Sequence, residues 1–122
     1  MLNSPPLPVL LTEKLEPLRE LCERYGVERL ELFGSAAKGA FDPKSSDIDL
    51  IAHFRNRRQG DYAARFLAFA EAAEALLQRP VDILTEAMIS NPYFKQDVDE
   101  SRITLYVNTS IFHSGPPRWL HR

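Results

Sequence analysis

Leu32-Phe33-Gly34-Ser35-Ala36-Ala37-Lys38-Gly39, followed after a loop by Ser46-Asp47-Ile48-Asp49-Leu50, is the stretch from which the fold is read. Immediately before it, Arg29–Phe33 alternates apolar and polar residues, the period of a half-buried strand. Gly34-Ser35 ends that strand, Ala36–Lys38 forms a short helical turn closed by Gly39, and Ala40–Ser46, with Pro43 and two serines, is a loop. Asp47–Phe54 then alternates again. Ile48, Leu50, Ala52 and Phe54 fall on one face, and Asp47, Asp49, Ile51 and His53 on the other.

Toward the N-terminus, Leu11, Leu15, Leu18, Cys22 and Tyr25 share one helical face. That helix is expected to start near Thr12 as N-cap, to meet a kink or restart at Pro17, and to stop at Gly26. Residues 1–10 read as an extended, Pro-rich lead-in. Toward the C-terminus, Arg55–Gly60 is a basic loop and Asp61 is expected to cap a long helix to about Gln78. Tyr62, Phe66, Phe69, Ala70, Ala73, Leu76 and Leu77 form its buried stripe. Arg79-Pro80 breaks it. Val81–Leu84 is a short strand, Thr85 caps a turn over Glu86–Ile89, Asn91-Pro92 opens a helix to about Glu100, and Ile103–Val107 is the last strand. Strands alternating with helices predict an α+β fold: a small mixed sheet with helices packed on one face. Residues 1–107 are expected to form the domain, and 108–122 a tail, weakly ordered or held by a partner.

The chain of 122 residues carries 15 Lys+Arg against 17 Asp+Glu, for a net charge of -2. That balance excludes a basic coat for non-specific nucleic-acid binding, and no direct nucleic-acid contact is expected. The single cysteine, Cys22, excludes an internal disulfide and a cysteine-only zinc cage. It fits the helix core stripe, a packing role. No apolar run spans a bilayer and no signal peptide is visible, so the expected location is the cytoplasm.

The chemistry lies in the combination of residues. Gly34 lacks a Cβ, so backbone there can approach a ligand closely. Ser35 adds a hydroxyl beside backbone N–H groups that open a helical turn, an arrangement suited to phosphate oxygens. Asp47 and Asp49 are two apart on a strand and project from one face, where like charges raise a pKa or call for a cation. Their hard oxygens suit Mg²⁺. Asp82 points away from Val81 and Ile83. If its strand neighbours the Asp47 strand, all three carboxylates meet on one side of the sheet and can hold two divalent metals for phosphoryl or nucleotidyl transfer. Alone, a Gly-Ser turn or an Asp-x-Asp strand face is commonplace; their conjunction is not, because an apolar strand gains nothing by opening with paired like charges.

These motifs resemble the signature of the nucleotidyltransferase superfamily that includes DNA polymerase beta. More closely, Leu11 to Val107 resembles the minimal nucleotidyltransferases (MntA-like antitoxins), with Val81-Asp82-Ile83-Leu84-Thr85 in the place of the third acidic strand and Ile103-Thr104-Leu105-Tyr106 as the closing pattern. The loop between Ser35 and Asp47 is one residue longer than the family's commonest spacing, a tolerable surface insertion. The resemblance implies the nucleotidyltransferase fold and transfer of AMP from Mg²⁺-ATP to a tyrosine hydroxyl of a HEPN-domain ribonuclease toxin. It implies that Asp47 and Asp49 hold two Mg²⁺ ions, that Asp82 completes the metal at the attacking hydroxyl and helps deprotonate it, and that Gly34 and Ser35 hold the triphosphate, with Lys38 a further phosphate contact. Two alternatives stand beside it: an antitoxin that acts by binding alone, and transfer to a small-molecule acceptor. His53 follows on the carboxylate face and reads as a bystander. Arg55, Arg57 and Arg58 read as a solvated loop, and Trp119 as either a partner anchor or an untethered end.

Overall fold

A computed structural model describes residues 8–39, 47–56 and 60–108. The strand predicted around Arg29–Phe33 lies inside a four-stranded sheet of order β3-β2-β1-β4. Its strands are β1 (Val27–Phe33), β2 (Ile48–Phe54), β3 (Val81–Leu84) and β4 (Ile103–Val107), and its helices are α1 (Val9–Tyr25), α2 (Tyr62–Leu77) and α3 (Pro92–Ser101). Two 3₁₀ turns, Gly34–Ala36 and Glu86–Met88, complete the element order. β1 runs antiparallel to both β2 and β4, while β3 is parallel to β2. The sheet is therefore mixed, because the α2 crossover returns the chain in the same direction as β2.

The expected alternation along β2 is observed. Ile48, Leu50, Ala52 and Phe54 are buried, and with Leu30 and Leu32 of β1 they face α1 and α2. Leu11, Leu18 and Cys22 of α1 and Phe69, Ala73 and Leu77 of α2 close this layer. Phe54 gathers the rings of Tyr62, Phe66 and Phe69 at centroid distances of 5.6, 5.6 and 6.0 Å. Emptying the middle of that layer by Phe69→Ala would cost ~3–5 kcal/mol.

Several boundaries differ from expectation for local reasons. α1 begins at Val9 with Pro8 as N-cap; Thr12 lies within the first turn and donates its N–H to the Pro8 carbonyl at 3.0 Å. Proline suits the position, since an N–H there has no helical partner to lose. Pro17 is accommodated inside the helix, and Gly26 ends it in the left-handed conformation at φ 78°. Asp61 occupies the N-cap of α2 without a side-chain bond to the helix; its carboxylate pairs with Arg65 at 3.3 Å instead. Arg65 also donates to the carbonyls of Tyr25, Arg55 and Asn56 at 3.1, 2.8 and 3.0 Å, so one guanidinium ties together the ends of α1 and β2 and the start of α2. α3 begins as expected: the Asn91 side chain accepts the N–H groups of Tyr93 and Phe94 at 2.8 and 3.1 Å, with Pro92 behind it.

The two long helices share one face. The opposite face is partly covered by α3 and the turn before it, where Phe33, Ile51, Ile89 and Val98 form a second, smaller apolar cluster. This leaves the rest of that face, with Asp49, Glu31 and His53, for polar chemistry. The expected tail at 108–122 and the basic residues Arg57 and Arg58 lie outside the described residues, apart from Asn108, as do the Ala40–Ser46 loop and Trp119. Among the described residues no helix is long and apolar enough to cross a membrane.

Candidate active site

Parallel pairing of β2 with β3 sets Ile48 opposite Val81 and Asp49 opposite Asp82. Register partners point to the same side of a sheet, so the two carboxylates share the polar face. They stand side by side there, close enough for each carboxylate to feel the other's charge. The Asp49 pKa is pushed up from 3.8 to about 6, first by burial, then by the charges of Asp82 and Asp47. Asp82 and Asp47 are exposed, so the cluster opens to solvent. Asp47 stands just before β2 and acts on Asp49 through its charge.

Gly34 closes the other side. Phe33 is the register partner of Asp49, and the next residue, Gly34, turns away at φ +77°. A Cβ at this position would stand 2.5 Å from Oδ2 of Asp49. Glycine is thus demanded twice, by the left-handed backbone and by the carboxylate against it. The Gly34 carbonyl accepts the N–H groups of Ala37 and Lys38, each at 3.1 Å, which rolls the chain into the Gly34–Ala36 turn and leaves Ser35 half-buried beside the acids' strand. Lys38 Nζ is engaged with Oδ1 of Asp97 on α3 at 3.0 Å.

Oxygen-only donors, two of them set side by side on one face, fit Mg²⁺. A second polar group lies further along the same face. Glu31, His53 and Glu86 bring potential ligand atoms within 4.8 Å of one another. A cation is already there. Arg102 donates to both oxygens of Glu31, at 2.6 and 3.2 Å, to Glu86, and to Asp99 at 2.6 Å. His53 Nε2 lies 2.9 Å from Oε1 of Glu31. Burial raises the Glu31 pKa, but the hydrogen bonds from Arg102 and His53 outweigh it and hold the carboxyl below its ordinary value. Arg102 is correspondingly held above its own. Sequence reading singled out His53 and missed Glu31, Glu86 and Arg102. The one available signal is Glu31 itself, an acid between Leu30 and Leu32.

The fold and this acidic corner define an enzyme of the nucleotidyl-transfer class. Residues 16–105 match the family described as the nucleotidyltransferase domain. A Methanocaldococcus jannaschii protein provisionally named a protein adenylyltransferase is 34% identical over 97 residues, spanning 76% of this chain and 95% of its own length. A solved structure described as a minimal nucleotidyltransferase shares 31% identity over 76% of this chain and 90% of its own, with a TM-score of 0.63. A toxin–antitoxin crystal structure with AMP-PNP superposes with a TM-score of 0.56 at 15% identity, covering 85% of this chain and 90% of its own, which bears on the fold alone. The chain belongs to the nucleotidyltransferase domain family and is of the minimal nucleotidyltransferase type.

Proposed function

We propose that the protein is an antitoxin-type adenylyltransferase that transfers AMP from ATP to a hydroxyl, a tyrosine, of a HEPN-domain ribonuclease toxin and so silences it. The observation that carries this reading is the register pairing of Asp49 with Asp82, with Gly34 set against the Asp49 carboxylate. The nucleotidyl chemistry follows from family membership. The adenylyl group and protein acceptor are supported by the name of the M. jannaschii relative, and the toxin partner by the toxin–antitoxin structure that shares the fold.

Asp47 and Asp49 would hold two Mg²⁺ ions, with Asp82 completing the ligand set on the acceptor side. Bound there, the metals supply charge neutralisation for the triphosphate and for the attacking oxygen. The chain's own part is positional. Gly34 admits the phosphates close to the strand end, Ser35 offers them its hydroxyl, and Lys38, if released from Asp97, offers a further charge. The acceptor oxygen forms its bond to the α-phosphorus, the bond from that phosphorus to the bridging oxygen breaks, and pyrophosphate leaves. The acceptor proton passes to the Asp82 carboxylate, which Asp49 flanks.

The test is to incubate the protein and its toxin partner with ATP and Mg²⁺ and to weigh the toxin intact. A gain of one or more AMP units is expected, abolished by Asp47→Ala/Asp49→Ala. No gain, with inhibition of the toxin retained in that double variant, establishes an antitoxin that acts by binding alone. AMP appearing only on an added small hydroxyl compound establishes the small-molecule reading.

A further inference from the structure

Ser101 stands at the last residue of α3, far in sequence from the Gly-Ser turn and without any motif around it. Its side chain is nevertheless placed on the turn's hinge. The Gly34 N–H donates to Ser101 Oγ at 3.1 Å. The hydroxyl hydrogen is directed back into its own helix, with the carbonyls of Val98 and Asp97 at 3.3 and 3.4 Å. Because the donor is spent on the helix, the oxygen lone pairs are left to face Gly34. Ser101 is 7% exposed, so water does not readily take its place.

Gly34 is consequently held from two sides. Ser101 takes its N–H, and Oδ2 of Asp49 fills the space where a side chain would stand. Two more contacts fasten α3 to the same segment: Lys38 to Asp97 at 3.0 Å, and the Phe33 ring edge-on to Phe94 at 6.1 Å. Lys38 and Asp97 are both largely exposed, and an exposed ion pair contributes ~0.2–1 kcal/mol. The Phe contact fixes the strand end rather than the turn. Only the Ser101 hydrogen bond acts on the backbone group that sets the direction in which Ser35 leaves the strand.

We propose that Ser101 is a positioning residue for the nucleotide: by accepting the Gly34 N–H it holds the Gly34–Ser35 turn in the one orientation that presents the turn's remaining donors to phosphates lying beside Asp49. This rests on the nucleotidyl-transfer reading of the site. It also removes Gly34 from the list of backbone donors, because its N–H is already used. The Ala37 and Lys38 N–H groups are likewise used, on the Gly34 carbonyl, so the phosphates are met by Ser35 and Ala36, while Gly34 contributes closeness.

The experiment compares wild type, Ser101→Ala and Ser101→Thr, using Mg²⁺-ATP as the probe in calorimetric titrations and amide hydrogen exchange as a ligand-free readout. Ser101→Ala is expected to weaken Mg²⁺-ATP binding about tenfold and to speed exchange of the Gly34 amide by a similar factor, the scale of one lost hydrogen bond to a buried donor. Ser101→Thr keeps the hydroxyl and is expected to restore both. Wild-type affinity in Ser101→Ala overturns the proposal. So does weakened binding with an unchanged Gly34 amide, because the effect then comes from loosened helix packing. A wild-type protein that does not bind Mg²⁺-ATP overturns the nucleotidyl-transfer reading itself, and this proposal with it. Wild-type binding with an unaffected Ser101→Ala overturns only the role of Ser101.

Discussion

Two groups of carboxylates share one face of the same sheet and differ in what balances them. At one end Asp49 lies opposite Asp82 and under the charge of Asp47, so like charges crowd together. A few residues along, Glu31 is more deeply buried, yet it is held ionised by Arg102 and His53, with Glu86 and Asp99 sharing the guanidinium. The Glu31 group is closed and its cation is built in. The aspartate group is open, and among the described residues no cationic side chain is bonded to it. Proximity of acids does not separate a site from a structural network; the state of charge compensation does.

The comparison breaks most visibly at Asp49. Asp49→Asn removes the charge, keeps the shape, and is expected to lower the proposed AMP transfer about a thousandfold, the scale of losing a directed electrostatic contact in a transfer reaction. Intact mass of the toxin against time measures it. If activity persists, the open group is not the site.

Arg102→Met should produce a loss of stability. It leaves Glu31 buried without its main partner, at a cost of ~3–5 kcal/mol in urea unfolding. A second substitution, Glu31→Gln, should recover much of this, because the pair is then removed together. Recovery that fails to appear would mean Arg102 acts through packing of its stem rather than through Glu31.

Gly34→Ala probes the boundary of the open group. The left-handed backbone and the contact with Asp49 Oδ2 together predict ~1–3 kcal/mol of lost stability. A combined Gly34→Ala/Asp49→Ala variant should lose less than the sum, since the clash is removed and only the backbone term remains. Additive losses would show that the carboxylate does not restrict the glycine.

The smallest effect is a difference in sign with pH. The folded-state pKa of Asp49 is raised, to about 6 from 3.8. Its stabilising, protonated form is fully present below 3.8, and its contribution is lost as pH rises through about 6. Glu31 has its pKa lowered from 4.5, so its contribution is present above 4.5 and is lost as pH falls through the folded value. Without divalent cation, thermal midpoints should therefore fall between pH 4 and 6 on account of Asp49, and Asp49→Asn should remove that slope. Added Mg²⁺ should flatten the wild-type slope and leave the variant unmoved. A slope that survives in Asp49→Asn would assign it to another group.

How much of this was legible beforehand depends on the range of the interaction. The alternation in Ile48–Phe54, the stripes of α1 and α2, and the bounds of β3 and β4 are local patterns, and the structure follows them closely. Thr12 is a sound N-cap by residue type, but the helix starts earlier, with Pro8 as N-cap and an exposed Val9 as its first residue. Asp61 takes the N-cap position that its residue type predicts, but its carboxylate pairs with Arg65, one turn along the same helix. Ser101 and Arg102 were invisible, since a serine and an arginine at a helix end carry no period and no motif.

The sequence by itself determined the order and approximate bounds of the strands and helices, and that a glycine and a serine follow the first strand, because each follows from spacing along the chain. Only the tertiary structure decided that β3 lies parallel beside β2 and brings Asp82 against Asp49. It alone placed Arg102 on Glu31 and Ser101 on Gly34. The reason is physical. Backbone geometry dictates side-chain direction over a few residues, whereas which carboxylate meets a cation and which meets another carboxylate is settled by strand order and register, which depend on the burial of the whole chain.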